Sequence, residues 1–179
     1  MFLLGSANFG NQYTIDKVKL NAIEIQRILH TFNKYGGVLI DTATNYGDAE
    51  NILSGYNKLK IGTKIPSKVL CSFSKTKETL EAIRKKFKNN QLEYVLLHDI
   101  ENLKFISFDA QNYLFKFVQE NNIKFGISVY FFDEIKKAKL AIDFISIVQV
   151  PLNYFDRRFT QSNFIRFCKK NQIIIQYRS

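Results

Sequence analysis

The chain has few cysteines and no segment of the kind that exports or anchors a protein. Its 179 residues include two cysteines, Cys71 and Cys168, whose separation fits no metal-binding or redox spacing. Isolated thiols of this kind suit a reducing cytosol, and we expect both to be buried or inert. The start, Met1 to Gly5, lacks the regions of a signal peptide, and no apolar run is long enough to span a membrane. These absences predict a cytoplasmic protein with no metal site and no membrane partner.

The sequence also lacks a linker rich in proline or glycine, and it has no internal repeat beyond an alternation of strand-like and helical segments. Hydrophobic residues make up 46% of the chain and aromatic residues 15%, which is ample for a packed core. We therefore predict a single domain over residues 1–179.

Basic residues outnumber acidic residues, and the formal net charge is +10. Such a charge suits nucleic acid as a partner, but the lysines are scattered over helix-like segments and no zinc-finger, RNA-recognition or helix-turn-helix signature is present. The sequence therefore favours a solvated basic surface and no nucleic-acid partner. A basic rim would also help to attract a phosphorylated cofactor or sugar.

Short apolar runs alternate with segments of helical periodicity, which is typical of a parallel sheet with helices outside it. The predicted strands are 3–7, 38–40, 59–63, 94–97, 124–128, 144–150 and 173–176. The predicted helices are 23–35, a short one from residue 49, 75–87, 110–120, 132–141 and 162–170.

Two architectures fit this alternation. An open doubly wound sheet normally has a G-x-G-x-x-G turn after its first strand, but here Gly5 and Gly10 lie five apart. A closed barrel needs eight strands and eight helices. We therefore predict an α/β fold of the incomplete (β/α)8 TIM-type barrel class, with about seven parallel strands and six helices.

Four reactive side chains lie at or just past the ends of the second, third and fourth strands. They are Asp41, Tyr46, Lys64 and His98. Parallel neighbouring strands are roughly 4.8 Å apart, and the carboxyl ends of barrel strands form the active-site rim. The sequence therefore predicts that an acid, a phenol, an amine and an imidazole converge there.

The residues around these positions resemble the aldo/keto reductase family over nearly the whole chain. The most distinctive segment is Ile40 to Glu50, which reads IDTATNYGDAE. Five further segments are similar to the family's motifs in the correct order: Leu4 to Gly10, Ile61 to Lys64, Leu96 to Asp99, Phe125 to Ser128 and Val148 to Asn153. The resemblance implies a reductase that uses NADPH or NADH and acts on a small-molecule carbonyl or sugar substrate.

The chemistry of the four side chains agrees with this resemblance. Reduction of a carbonyl requires a hydride donor, which no side chain supplies, and a proton for the developing alkoxide. A free phenol gives up its proton poorly, and a nearby cation makes it a better acid. Lys64 would supply this cation to Tyr46, Asp41 would orient Lys64, and His98 would donate a hydrogen bond to the carbonyl oxygen.

The resemblance further implies that Ser128 and Gln149 hold the carboxamide of the nicotinamide. Val129 stands where the family often has asparagine, and Arg178 aligns with an aromatic position that stacks on the nicotinamide. Asn153 also matches the sixth-strand motif.

One alternative is open at this point. This alternative is a truncated, non-catalytic remnant of the family or a binding subunit. If the barrel lacks its last part, its two open edges would favour self-association, and we expect the apolar positions Leu3, Val38, Ile61 and Val95 to be partly uncovered.

Overall fold

The computed structural model describes residues 2–11, 20–88, 91–137 and 144–178. Seven strands form one sheet in which strand order follows chain order, and the five strand pairs whose register the structure describes are parallel. The strands are β1 (Leu4–Gly5), β2 (Leu39–Asp41), β3 (Lys60–Ile65), β4 (Leu92–Leu97), β5 (Lys124–Ser128), β6 (Ile147–Pro151) and β7 (Ile174–Arg178). The predicted α/β class with seven parallel strands is confirmed.

The described residues contain the six predicted helices and one more. The helices are α1 (Ala7–Gly10), α2 (Ala22–Lys34), α3 (Ala49–Ser54), α4 (Phe73–Lys86), α5 (Phe108–Glu120), α6 (Phe132–Lys137) and α7 (Ser162–Lys170). The additional helix, α1, lies where the sequence indicates only a turn, because four residues are too few to show helical periodicity. The predicted end of the helix over 132–141 lies outside the described residues.

By its internal contacts the chain forms two compact units. Unit 1 comprises Met1–Lys64 and Glu81–Glu93, and unit 2 comprises Ile65–Leu80 and Tyr94–Ser179. A single domain over 1–179 stays a prediction.

Unit 1 contains β1, β2 and most of β3. Helix α2 begins with a capping box: Asn21 Oδ1 accepts hydrogen bonds from the backbone N–H groups of Ile23 and Glu24, and the Glu24 carboxylate accepts one from the Asn21 N–H. The chain turns after this helix at Gly36, whose φ of +80° suits glycine. The local sequence therefore fixes where this helix starts and stops.

Unit 2 has its core between the strands and α5. All five residues of β6 are buried, as expected for a parallel strand that is covered on both faces. Phe115 of α5 stacks on Phe144, with ring centroids 3.9 Å apart.

The prediction that four apolar positions are partly uncovered is wrong in part. Ile61 and Val95 are completely buried, whereas Val38 is 44% exposed. Strand alternation places Ile61 on the face opposite Lys64, so Ile61 packs into the core of unit 1. Cys168 is buried and Cys71 is exposed, so the expectation of a buried or inert thiol is met by burial at Cys168 only.

None of the helices that the structure describes is long and apolar enough to cross a membrane.

Candidate active site

A buried ion pair joins the ends of β2 and β3 in unit 1. Asp41 is the last residue of β2 and pairs with Gly62 of β3, and Lys64 lies two residues further along β3. Lys64 Nζ donates a hydrogen bond to Asp41 Oδ2, and Lys64 is only 1% exposed. Lysine is almost never buried to this extent unless it is paired, and the Asp41 carboxylate is the partner of this amine.

Tyr46 lies in the turn between β2 and α3, beside this ion pair. The Lys64 Nζ atom is 5.3 Å from the centroid of the Tyr46 ring, which is within the range of a cation–π contact. Thr44 ties the turn to β3, because its backbone N–H and its hydroxyl both donate to the Lys64 carbonyl oxygen, at 2.9 and 3.2 Å. Three of the four predicted catalytic residues are thus brought together within unit 1.

The turn that carries Tyr46 is also held by the segment after β1, which sequence reasoning did not assign to the site. Asn11 Nδ2 donates to the Asn45 carbonyl oxygen at 3.1 Å. A Cβ atom on Gly10 would collide with the Tyr46 carbonyl oxygen and lie 2.6 Å from the backbone nitrogen of Ala49. Gly47 adopts φ +57°. The glycine directly after Tyr46 is a signal that could have indicated this turn, but the contact with Gly10 depends on the fold.

His98 and the two predicted cofactor-binding residues lie in unit 2. His98 follows Leu97, which is level with Ile127 of β5, so His98 stands level with Ser128. Ser128 is in turn level with Gln149 of β6. The backbone N–H of His98 donates to the Ile65 carbonyl oxygen at 2.8 Å. Strand register therefore places an imidazole, a hydroxyl and an amide in one row.

The row continues on β7 with Gln176, a residue that sequence reasoning did not single out. Gln176 is level with Gln149, and Gln149 Nε2 donates to Gln176 Oε1 at 3.3 Å. Ser128 and Gln149 are each 3% exposed and Gln176 is 8% exposed. The buried hydrogen bond fixes the orientation of the Gln149 amide.

Two residues that the sequence placed near the site have other neighbours in unit 2. The Arg178 guanidinium lies over the Tyr130 ring, 4.3 Å from its centroid, and donates to the Tyr130 hydroxyl at 3.3 Å. Asn153 Oδ1 accepts from the backbone N–H groups of Phe155 and Asp156 at 2.9 and 3.0 Å, so this side chain shapes its own loop.

No group of three or more His, Cys, Asp or Glu side chains in the described ranges is placed to hold a metal ion.

Comparison with known proteins identifies the family. The model that represents the aldo/keto reductase family matches residues 2–178. This chain belongs to the aldo/keto reductase family. No curated protein sequence gives a significant match to it.

Solved structures of other aldo/keto reductases resemble this family member in fold. One assigned to the family from Pseudomonas aeruginosa has a TM-score of 0.75 and 20% identity, covering 98% of this chain and 71% of its own. An aldo-keto reductase from Klebsiella pneumoniae in complex with NADPH has a TM-score of 0.69 and 19% identity, with coverages of 97% and 61%. The glycerol dehydrogenase from Gluconobacter oxydans has a TM-score of 0.71 and 19% identity, with coverages of 98% and 58%. This aldo/keto reductase chain thus spans about 58% to 71% of the length of these proteins.

Proposed function

We propose that this chain reduces a small-molecule carbonyl, in an aldehyde, a ketone or a sugar, and that Tyr46 is the proton donor. The observation that carries the proposal is the buried Lys64 ammonium, which lies between the Asp41 carboxylate and the Tyr46 ring. Burying a charge is costly unless it is paired. A simple structural role does not require this cation to face a phenol as well.

In the proposed reaction the carbonyl carbon gains a hydride and the carbonyl oxygen gains a proton. The O–H bond of Tyr46 breaks and its proton passes to the oxygen as negative charge develops there. The Tyr46 phenolate that remains is stabilised by the Lys64 ammonium. Asp41 keeps this ammonium charged and oriented, so that Lys64 acts through Tyr46.

His98 has the second role at the carbonyl oxygen. An imidazole N–H donates a hydrogen bond that directs this oxygen and stabilises the charge that develops on it. The position of His98 directly after β4 is the kind of strand end from which barrel enzymes draw their catalytic residues.

A nicotinamide cofactor, NADPH or NADH, supplies the hydride when it is bound. The residues of unit 2 suit its carboxamide, because the Ser128 hydroxyl and the Gln149 amide are buried and level with each other. These groups can both donate and accept hydrogen bonds, as a carboxamide requires. Ser128 and Gln149 would therefore hold the nicotinamide end. The Klebsiella pneumoniae structures in complex with NADPH, and with NADP and acetate, support a cofactor of this class.

The test is the oxidation of NADPH in the presence of a reactive aldehyde, followed by absorbance at 340 nm. We expect Tyr46→Phe to lower turnover by about a hundred- to ten-thousand-fold, the usual contribution of general acid catalysis. Tyr56→Phe is the matched control, because Tyr56 is also part-buried in unit 1 and should keep its turnover.

The outcomes separate the two readings of the chain. Near-normal turnover by the Tyr46→Phe variant would remove Tyr46 from the mechanism. A wild-type chain that binds NADPH but reduces no aldehyde, ketone or sugar in a broad panel would favour a non-catalytic binding subunit.

A further inference from the structure

Glu50 is a buried carboxylate in the first turn of α3 that the proposed mechanism does not use. It is 4% exposed, and glutamate is almost never buried to this extent unless it is paired. Its Oε1 atom accepts a hydrogen bond from Thr63 Oγ1 at 2.6 Å. Its Oε2 atom accepts one from Lys86 Nζ at 2.8 Å. A strand and a second helix therefore hold both oxygens of this carboxylate.

Glu50 links the segment that follows Tyr46 to strand β3, which carries Lys64. Glu50 comes four residues after Tyr46 on the same turn and helix. Thr63 is completely buried and directly precedes Lys64. Because side chains alternate along a strand, Thr63 points to the face opposite Lys64. Glu50 thus links the segment that carries Tyr46 to β3 on the face of the strand opposite Lys64.

We propose that Glu50 is a positioning residue that sets the spacing between the Tyr46 phenol and the Lys64 ammonium, acting through its hydrogen bond with Thr63. The inference rests on the proposed function of those two residues. Attraction between a cation and a phenolate falls as their separation grows, so a loosened α3 would weaken the effect of Lys64 on Tyr46. The Asp41 carboxylate also faces this ammonium and should be unaffected by the loss.

The role of Lys86 is to neutralise Glu50. Its side chain is 28% exposed, so its ammonium retains contact with solvent while it pairs with the buried carboxylate. A carboxylate that is hydrogen-bonded on both oxygens in a low-dielectric region has little freedom to move. Glu50 can therefore hold α3 in a fixed position relative to β3.

The test removes the Thr63 hydroxyl and keeps the shape of the side chain. We expect Thr63→Val to raise the measured titration midpoint of the Tyr46 phenol by about one pH unit. Turnover at neutral pH should fall by about tenfold, because a tenfold change in rate corresponds to the same free energy as one pH unit. The KM for NADPH should stay within about twofold of the wild-type value, because the substitution does not change the contacts that bind NADPH. Thr63→Ser, which keeps the hydroxyl, should restore both properties.

The phenol titration is read by ultraviolet difference spectroscopy. Each protein is compared with its own Tyr46→Phe counterpart, which isolates one phenol among the nine tyrosines of the chain. Arg84→Met is the matched control, since it breaks the exposed ion pair between Arg84 and Glu81 on α4 and should change neither the titration nor turnover.

A folded Thr63→Val variant with a lower melting temperature but an unchanged Tyr46 titration would overturn the proposal, because Glu50 would then serve stability alone. The titration does not require turnover. If the wild-type chain is inactive, the proposed function fails, while a shifted titration in Thr63→Val still supports the positioning role and an unshifted one still refutes it.

Discussion

Lys64→Met removes the ammonium beside Tyr46 and keeps most of the volume of the side chain. The Lys64 Nζ atom lies 5.3 Å from the centroid of the Tyr46 ring. At an effective dielectric constant of about 20, two unit charges at this separation attract by roughly 3 kcal/mol. Asp41 is bonded to the same ammonium and cancels part of this attraction. We therefore expect the barrier to rise by about 1.4 to 3 kcal/mol, which is roughly a 10- to 150-fold fall in turnover.

The variant must first be shown to fold. Lys64→Met leaves the Asp41 carboxylate without its ammonium, and breaking a buried pair costs about 3 to 5 kcal/mol of stability. Because the Asp41 side chain is 15% exposed, we expect the lower end of this range. The double variant Asp41→Asn/Lys64→Met removes both charges and should recover part of the lost melting temperature.

The assay is aldehyde-dependent oxidation of NADPH, measured well below the melting temperature of each variant. Lys60→Met is the matched control, because Lys60 is on the same strand but exposed, and it should leave turnover unchanged. A folded Lys64→Met variant with turnover within about twofold of the wild type would refute the reasoning. So would a Tyr46→Phe/Lys64→Met variant whose loss equals the product of the two single losses, since groups that act as a unit are not additive.

Three further predictions concern binding, assembly and thiol chemistry. Gln149→Leu should weaken NADPH binding by about tenfold, the value of one hydrogen bond, in a fluorescence titration. The chain should self-associate in multi-angle light scattering, because β7 pairs only with β6 among the described strands and edge strands attract other chains; a monomer at every concentration would contradict this. Burial raises the pKa of the Cys168 thiol to about 11, so at pH 8 a thiol reagent should modify the exposed Cys71 and reach Cys168 only after unfolding.

Much of the fold could be predicted from local patterns. The strand over 124–128 and the helix over 162–170 lie where the sequence places them, because each combines regular periodicity with a clear boundary. Helix α1 and the ends of β3 and β7 were less predictable. Strand β3 extends to Ile65 and β7 to Arg178. The ends of a strand are set by hydrogen bonding to neighbouring strands, which the residues of the strand itself do not indicate.

The candidate site was also only partly predictable from the sequence. Asp41, Tyr46 and Lys64 were predicted because each stands in a short motif at the end of a strand, and the structure brings them together. No role was predicted for Gln176, Glu50 or Thr63. Glu50 and Thr63 lie in segments that resemble the family's motifs, but the local sequence does not show which partners they find. Their significance comes from partners that are distant along the chain, such as Lys86, which lies 36 residues after Glu50.

The sequence by itself determined the family, the order of strands and helices, and the residue types available at the strand ends, because those properties depend on motifs and periodicity over a few neighbouring residues. Only the tertiary structure decided which face of each strand is buried, which partner each polar group finds and which cysteine is exposed. It placed Ile61 in the core, joined Gln149 to Gln176 and tied Glu50 to Thr63. These outcomes follow from the register between strands and from long-range packing, which the folded chain alone establishes.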